Sequence, residues 1–291
     1  MKRGDVGQNL YVTLKTPIDR RRDQPLARSV VAIQVPAPAL PHCAARHAGY
    51  KLRSASAKDI ETPMPFRIGL LLFPDITQLD MTGPYEVFIK FPDATVDLVW
   101  KTLGPVTAGG GMQITPTTTF ADCPQLDLLC VPGGPGMNAL LNDAETLDFI
   151  RRQARAARYV TSVCTGALVL GAAGLLKGKR AATHWMSRDM LAAFGATPVA
   201  ERVVTDGNVI TGGGVTAGID FALTVAAEAF GPELAKAIQL GIEYDPHPPF
   251  DAGSPERADP ALVAKVRDYA AARQAERQAA VNAAAAKLVR A

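Results

Sequence analysis

Cys164 and Asp80, with the Pro-Gly-Gly turn at 132–134, are the residues whose types and settings could do chemistry. In YVTSVCTGALVLGAAGLL (159–176) a β-branched apolar run, Tyr159–Val163, leads straight into Cys164, and Thr165-Gly166-Ala167 then opens an apolar helix. A thiol on such a strand-to-helix turn meets free N–H groups and the positive end of a helix dipole. Both are expected to lower its pKa and populate the thiolate, the nucleophilic form. The opposing reading is a buried structural cysteine. Cys123 and Cys130 flank the strand that leads to Pro-Gly-Gly and read as packing residues.

Asp80 stands in DITQLDMTGPYEVF, just before a turn and a helix. One reading makes it the N-cap of a helix beginning near Gly83 or Pro84; the other sets its carboxyl against Cys164 as proton donor and acceptor. Glu86, inside that helix, is the rival carboxylate and suits packing or solvent exposure better. Gly133 and Gly134 permit close backbone approach, and their N–H groups, with that of Thr165, could form an oxyanion-type pocket; a tight turn is the alternative. Gly212–Gly214 would bring a loop near the site, with Gly213 and Val215 facing substrate. His184 and Trp185 end a strand-like run and read as structural, since no partner is positioned to make the histidine a base.

The elements that must position these residues follow from periodicity. Strand-like runs occur at Phe66–Phe73, Val96–Lys101, Leu126–Val131 and Tyr159–Val163, with shorter ones at Ala181–His184, Arg202–Thr205 and Val209–Thr211. Helical segments occur at Gly83–Lys90, Met137–Ala157, Thr165–Leu175, Ser187–Phe194 and Thr216–Phe230. Apolar strands alternating with helices imply an α/β fold, a mostly parallel sheet with helices on both faces. In such sheets functional residues gather beyond the carboxyl ends of the strands, where Asp80, Pro-Gly-Gly and Cys164 all fall. Asp206-Gly207-Asn208 signals a hairpin. Asp259-Pro260 starts a C-terminal helix in the 256–291 segment, by N-cap and N1 proline. Its Leu262, Val266 and Tyr269 make a partial apolar stripe, for packing on its own subunit or against a second one.

Composition bounds the class. The 291 residues include 48% hydrophobic side chains and four cysteines, enough for a large core without disulfides. No apolar run reaches membrane-span length, and neither a C-x-x-C pair nor a His pair at zinc spacing occurs. Neither a dinucleotide fingerprint nor a Walker lysine occurs in the right context. Free thiols without a convincing signal peptide point to the cytoplasm. Residues 1–63 hold 11 Lys/Arg against 5 Asp/Glu, whereas 64–291 hold 20 against 23. A nucleic-acid arm or a targeting peptide are readings of this leader, but Asp5, Asp19 and Asp23 fall early for targeting. It is expected to be a disordered, non-catalytic segment, with translation starting at Met64 and no nucleic-acid partner.

LLFPDITQLDMTGPYEVF, CVPGGPG, YVTSVCTGALVLGAAGLLKGKRAATHW and VITGGGVTAGIDFAL resemble the isonitrile (isocyanide) hydratases of the DJ-one/PfpI superfamily. The match runs through 66–255, within a catalytic domain set at 64–255. The resemblance implies a flavodoxin-like sandwich, a homodimer, a Cys164 nucleophile, an essential acid at Asp80, backbone donors at Gly133, Gly134 and Thr165, and no cofactor or metal. The substrate would be a small isonitrile, hydrated to a formamide through a thioimidate, with Val163, Leu168 and Val215 suiting an apolar substituent. Peptidases of the superfamily carry His directly after the nucleophile, where Thr165 stands here. Amidotransferases add a late His-x-Glu, whereas His247 is followed by Pro248 and Pro249. Glyoxalase-type members place Glu at the Asp80 position, and the regulators' helix-turn-helix module is longer than 256–291. The competing class is a redox or stress sensor, whose low-pKa thiol oxidises through sulfenic to sulfinic acid.

Overall fold

A computed structural model describes residues 65–289; the basic leader, Cys43 and the expected start at Met64 lie outside the described residues. Along the chain the elements are β1 (Phe66–Leu71), α1 (Gln78–Phe88), β2 (Ala94–Trp100), β3 (Val106–Thr107), β4 (Gln113–Ile114), β5 (Thr118–Thr119) and β6 (Leu128–Val131). There follow α2 (Met137–Leu140), α3 (Ala144–Ala154), β7 (Tyr159–Ser162), α4 (Gly166–Ala172) and β8 (Arg180–Ala181), then a 3-10 helix at Trp185–Phe194 and β9 (Thr197–Pro198). The chain continues through β10 (Val203–Asp206), β11 (Val209–Gly212), α5 (Ala217–Phe230), α6 (Pro232–Gly241) and α7 (Pro260–Leu288).

Seven strands form one sheet in the order β10-β11-β7-β6-β1-β2-β5. Every pairing in it is parallel except β10 with β11. The central strands β6 and β11 are buried at all four positions, as a parallel sheet covered on both faces requires. Helices α1, α5 and α6 pack with one another, and α2, α3, α4, the 3-10 helix and α7 form the second group. Phe66, Phe88, Phe91 and Phe230 form an edge-to-face cluster, with centroids 4.9–6.3 Å apart, that ties β1 to α1 and α5. Such ring geometry adds about 0.5–1.5 kcal/mol per pair beyond buried area. Because β1, β6, β7 and β11 run the same way, Leu71, Val131, Ser162 and Gly212 end at one edge, and the loops that follow them meet there.

Several elements differ from the sequence expectation. Helix α1 begins at Gln78, five residues before Gly83, and carries Pro84 inside it. The single helix expected over 137–157 is split at Asp143, which caps α3 and pairs with Lys101 at 2.5 Å. The 181–184 run contributes only Arg180–Ala181, in a two-stranded patch with β9, before His184 opens the 3-10 helix. Helix α6 went unread, although Gly231 and Pro232 mark its start. The hairpin at Asp206-Gly207-Asn208 joins β10 and β11, with Asp206 opposite Val209. In α7 the apolar stripe expected to pack faces water, Tyr269 being 88% exposed; Ala270, Arg277, Val281 and Ala284 are buried instead. Among the described residues no helix is long and apolar enough to cross a membrane.

Helix α4 leaves the Cys164 turn pressed onto the end of β6. A Cβ at Gly166 would collide with the carbonyl oxygen of Val131 and crowd that of Pro132 at 2.8 Å. Gly166→Ala is expected to cost about 3 kcal/mol or more, the upper range of overpacking penalties, seen as a lowered urea midpoint.

Candidate active site

Cys164 follows β7 in the left-handed backbone region, at φ 54. Few non-glycine residues adopt this conformation, and it costs of order 1–3 kcal/mol where surroundings enforce it. Its N–H donates to the Gly212 carbonyl at 3.2 Å and the N–H of Val163 to Val131 at 3.1 Å, so the strands on either side hold the turn. The hydroxyl of Thr183 donates to the Cys164 carbonyl at 2.6 Å. The side chain thus projects from a strained strand-to-helix elbow, a setting that displays a nucleophile above the sheet edge.

Asp80 is fully buried in the first turn of α1, three residues after the N-cap Thr77. The N-cap reading is therefore corrected: Gly83-Pro84 resembles a helix start, but α1 passes through it. One carboxylate oxygen of Asp80 accepts from the N–H of Gly133 at 3.0 Å. The other is buried without a hydrogen-bond partner of good geometry, and the Cys164 thiol is the side chain that interacts with this carboxyl. Glu86 is exposed and pairs with Lys90 at 2.8 Å on the outer face of α1, so it plays no part in the site.

Burial raises Asp80 to about 7, against the lowering effects of the Cys164 thiol and the Gly133 N–H. Burial also pushes the Cys164 thiol well above its ordinary value, and the charge of Asp80 pushes it further. The Thr165 N–H and the Arg277 guanidinium pull it back. The expectation of a thiol made acidic by its helix is thus corrected: α4 has seven residues, and desolvation outweighs its N-terminus. Above about pH 7 the pair keeps one proton, on sulfur, and its transfer to the carboxyl would generate the thiolate without placing two negative charges in a dry site. Cys123 and Cys130 are pushed up to about 12, chiefly by burial, as befits inert packing thiols.

The glycine turn is more specialised than a ring of free donors. Gly133 commits its N–H to Asp80, and Gly134 donates to the Thr165 hydroxyl at 3.1 Å. A Cβ at Gly133 would stand 2.5 Å from the Thr165 nitrogen and 2.8 Å from the Asp80 carboxyl. The turn therefore clamps acid and elbow together, leaving the Thr165 N–H as the backbone donor at the sulfur.

A cleft of about 1110 Å³ adjoins the dyad, lined by Leu79, Thr183, His184, Trp185, Gly213–Val215 and Ile219, with charged groups including Arg188, Arg202 and Asp220 farther out. Gly213 and Val215 are on its wall. Val163 and Leu168 are instead fully buried core. Cys164, 4% exposed, is not itself on this wall, but Thr183, whose hydroxyl holds its carbonyl, is. His184 caps the 3-10 helix, its Nδ1 accepting from the Met186 N–H at 3.4 Å. Burial, then Arg277 and Arg273, pull it down to about 4, leaving a neutral, weak base. Sequence reasoning missed three contributors: Thr183, though its motif was quoted, Arg277, and the Tyr244–Asp220–Arg202 network on the cleft rim, with contacts of 2.8 and 2.6 Å. Among the described residues no three His, Cys, Asp or Glu converge as metal ligands.

A parallel sheet with a cysteine elbow and a carboxyl from the first strand's loop defines a class, and the chain belongs to the DJ-1/PfpI family, whose pattern matches residues 66–228. It is 59% identical over 225 residues to an isonitrile hydratase from Pseudomonas putida, covering 77% of this chain and 99% of that one. The crystal structure of a ThiJ/PfpI family protein from Pseudomonas syringae is similar at a TM-score of 0.73 and 42% identity, covering 80% of this chain and 98% of that one. A glutathione-independent glyoxalase from Caenorhabditis elegans is 26% identical over 136 residues, 46% of this chain and 73% of its own.

Asp80 makes stability depend on pH. Its folded pKa lies above its unfolded value, so its contribution favours the fold below about pH 4 and is lost as pH rises through about 7. Asp80→Asn removes that loss. The variant is expected to gain stability over the parent at pH 8, by up to about 4 kcal/mol, with the difference shrinking toward pH 4, as read from melting curves across pH.

Proposed function

We propose that this protein hydrates isonitriles, R–N≡C, to N-substituted formamides. The observation that carries the reading is the buried Cys164–Asp80 pair, with a cleft lined by Leu79 and by Thr183, which bonds the Cys164 carbonyl. A thiol only 4% exposed is suited to an electrophile that is slender and uncharged at its reacting end, and a terminal isonitrile carbon is both. The 59% identity to the Pseudomonas putida isonitrile hydratase across nearly all of that protein supports the same chemistry.

In the proposed cycle the dyad's proton moves to Asp80 and the sulfur of Cys164 attacks the terminal carbon. Asp80 delivers its proton to that carbon, giving a thioimidate, S–CH=N–R, and a free carboxylate. A water molecule then adds to the carbon: Asp80 takes one of its protons and passes it to nitrogen. Collapse of the tetrahedral adduct expels the thiolate, the remaining hydroxyl proton returns to Asp80, and the formamide leaves with the dyad restored. Water and isonitrile account for every atom of product. Covalent catalysis divides one difficult addition into two easier ones. The Thr165 N–H stabilises the sulfur anion, and Leu79, Trp185, Val215 and Ile219 accept an apolar substituent.

Turnover of an aryl isonitrile, followed by formamide appearance, tests the assignment. Cys164→Ala is expected to abolish it, and substantial residual turnover would refute the covalent route. Asp80→Asn should lose at least about 10²-fold, the lower bound for general acid–base assistance. Asp80→Glu should lose less, since it keeps the acid but lengthens it in a site fitted to the shorter group. Full activity in Asp80→Asn would leave the cycle without its proton carrier.

We further propose a cytoplasmic homodimer, in which exposed apolar side chains such as Leu240 and Phe250 find cover, and a leader at 1–63 outside the catalytic unit. Deleting residues 1–63 is expected to leave kcat/KM and the light-scattering mass of the assembly (less the deleted residues) unchanged; a folded but inactive product would assign the leader a role.

A further inference from the structure

Helix α7 brings a buried cation to the site from the far end of the chain. Arg277 is 4% exposed, on the same face as Ala270, Val281 and Ala284. Its Nε donates to the Asn138 side-chain oxygen at 3.1 Å and one terminal nitrogen donates to the Ser187 hydroxyl at 3.0 Å. Both partners are neutral, and among the described residues it takes part in no salt bridge. A buried guanidinium without a counter-charge is costly. Asp80 has the complementary deficit: it is fully buried, and among the described residues no cation pairs with it. Both anchors of Arg277 stand near the site's groups in the chain, and α7 packs on α2, α4 and the 3-10 helix. Asn138 follows the Pro-Gly-Gly turn, and Ser187 lies four residues beyond Thr183, whose hydroxyl holds the Cys164 carbonyl.

We propose that Arg277 is a positioning residue for the nucleophile: it supplies the buried positive charge that balances the single negative charge of the Cys164–Asp80 pair, and so favours anionic sulfur. The charged groups around it are consistent with this role. Cys164 and Arg277 act on each other with opposite and reciprocal effect, the guanidinium lowering the thiol and the sulfur favouring the charged guanidinium. Asp80 from α1 opposes ionisation of the thiol, and Arg273, one turn away on α7, opposes the charge of Arg277. His184, on the 3-10 helix, is held neutral near both arginines. This role rests on Cys164 being the nucleophile, but not on the identity of the substrate.

The test is the pH dependence of Cys164 alkylation by iodoacetamide in the full-length protein, with labelling at Cys164 confirmed by peptide mass. Arg277→Gln keeps a hydrogen-bonding group and removes the charge; Arg277→Lys keeps the charge and loses the fork. Arg277→Gln is expected to move the alkylation profile up by about one pH unit, a tenfold slower reaction at neutral pH, while Arg277→Lys stays within about threefold of the parent. A folded Arg277→Gln with the parent's profile would overturn the proposal. Should Arg277→Gln fail to fold, Arg277→Lys decides alone: a parental profile supports charge compensation, and a shifted one assigns Arg277 to packing. Parent protein labelled elsewhere than Cys164 would instead refute the nucleophile assignment of the proposed function.

Discussion

One proton shared by two buried acids is the constraint on which the rest of this structure depends. Asp80 and Cys164 are both removed from water, and neither ionises easily there. The site tolerates one negative charge, on whichever atom lacks the proton, but not two. That limit makes the pair useful. In the proposed cycle, ionising sulfur requires a proton acceptor at hand, and the acceptor becomes the acid that the attacked carbon next requires. Solvent exposure of either group would give each an independent titration and break the exchange.

Keeping two acids adjacent and dry is a problem in backbone geometry, which the parallel sheet solves. Asp80 comes from the loop and helix after β1, the glycine turn from β6 and Cys164 from β7, three adjacent strands ending at one edge. Gly133 sits between acid and elbow, where no side chain fits, and its N–H fixes the carboxyl. Cys164 holds its left-handed backbone because Val131, Gly212 and Thr183 bind the turn on three sides. The strain at φ 54 is therefore borne by backbone bonds at the strand ends together with the Thr183 hydroxyl.

What the sequence disclosed divides along the range of the interactions. The buried runs of β1, β6, β7 and β11 and the strand–turn–helix at Cys164 are local patterns, and they located the parallel sheet and the cysteine elbow. The hairpin signal at Asp206-Gly207-Asn208 was likewise local, and Asp206 pairs with Val209 across the turn. Helix α1 was misplaced because Gly83-Pro84 carries the local signature of a start, while the packing of α1 on α5 and the burial of Met81 favour helix from Gln78 onward. The acidity of the thiol was misjudged for a related reason: a helix N-terminus shows in sequence, whereas desolvation by surrounding elements does not. Arg277 was invisible altogether. In an Ala-rich helix with scattered Arg and Gln, nothing local separates a buried arginine from its exposed neighbours, and its contacts to Asn138 and Ser187 span 139 and 90 residues.

Burial of the dyad also bears on what the site accepts and in what order. The first half of the proposed cycle gains from dryness, since an unsolvated sulfur anion is a stronger nucleophile and a neutral isonitrile loses little hydration on entry. The second half needs one water molecule at the same carbon. A site open to bulk solvent would serve that step and weaken the first, by screening the charges that hold the proton in place. The arrangement seen here is a buried pair, Cys164 and Asp80, with a wide cleft on whose wall Thr183, Gly213 and Val215 stand. In the proposed reaction the substituent would meet the apolar wall of Leu79, Trp185, Val215 and Ile219 and the charged side chains of Arg188, Arg202 and Asp220 that line the same cleft.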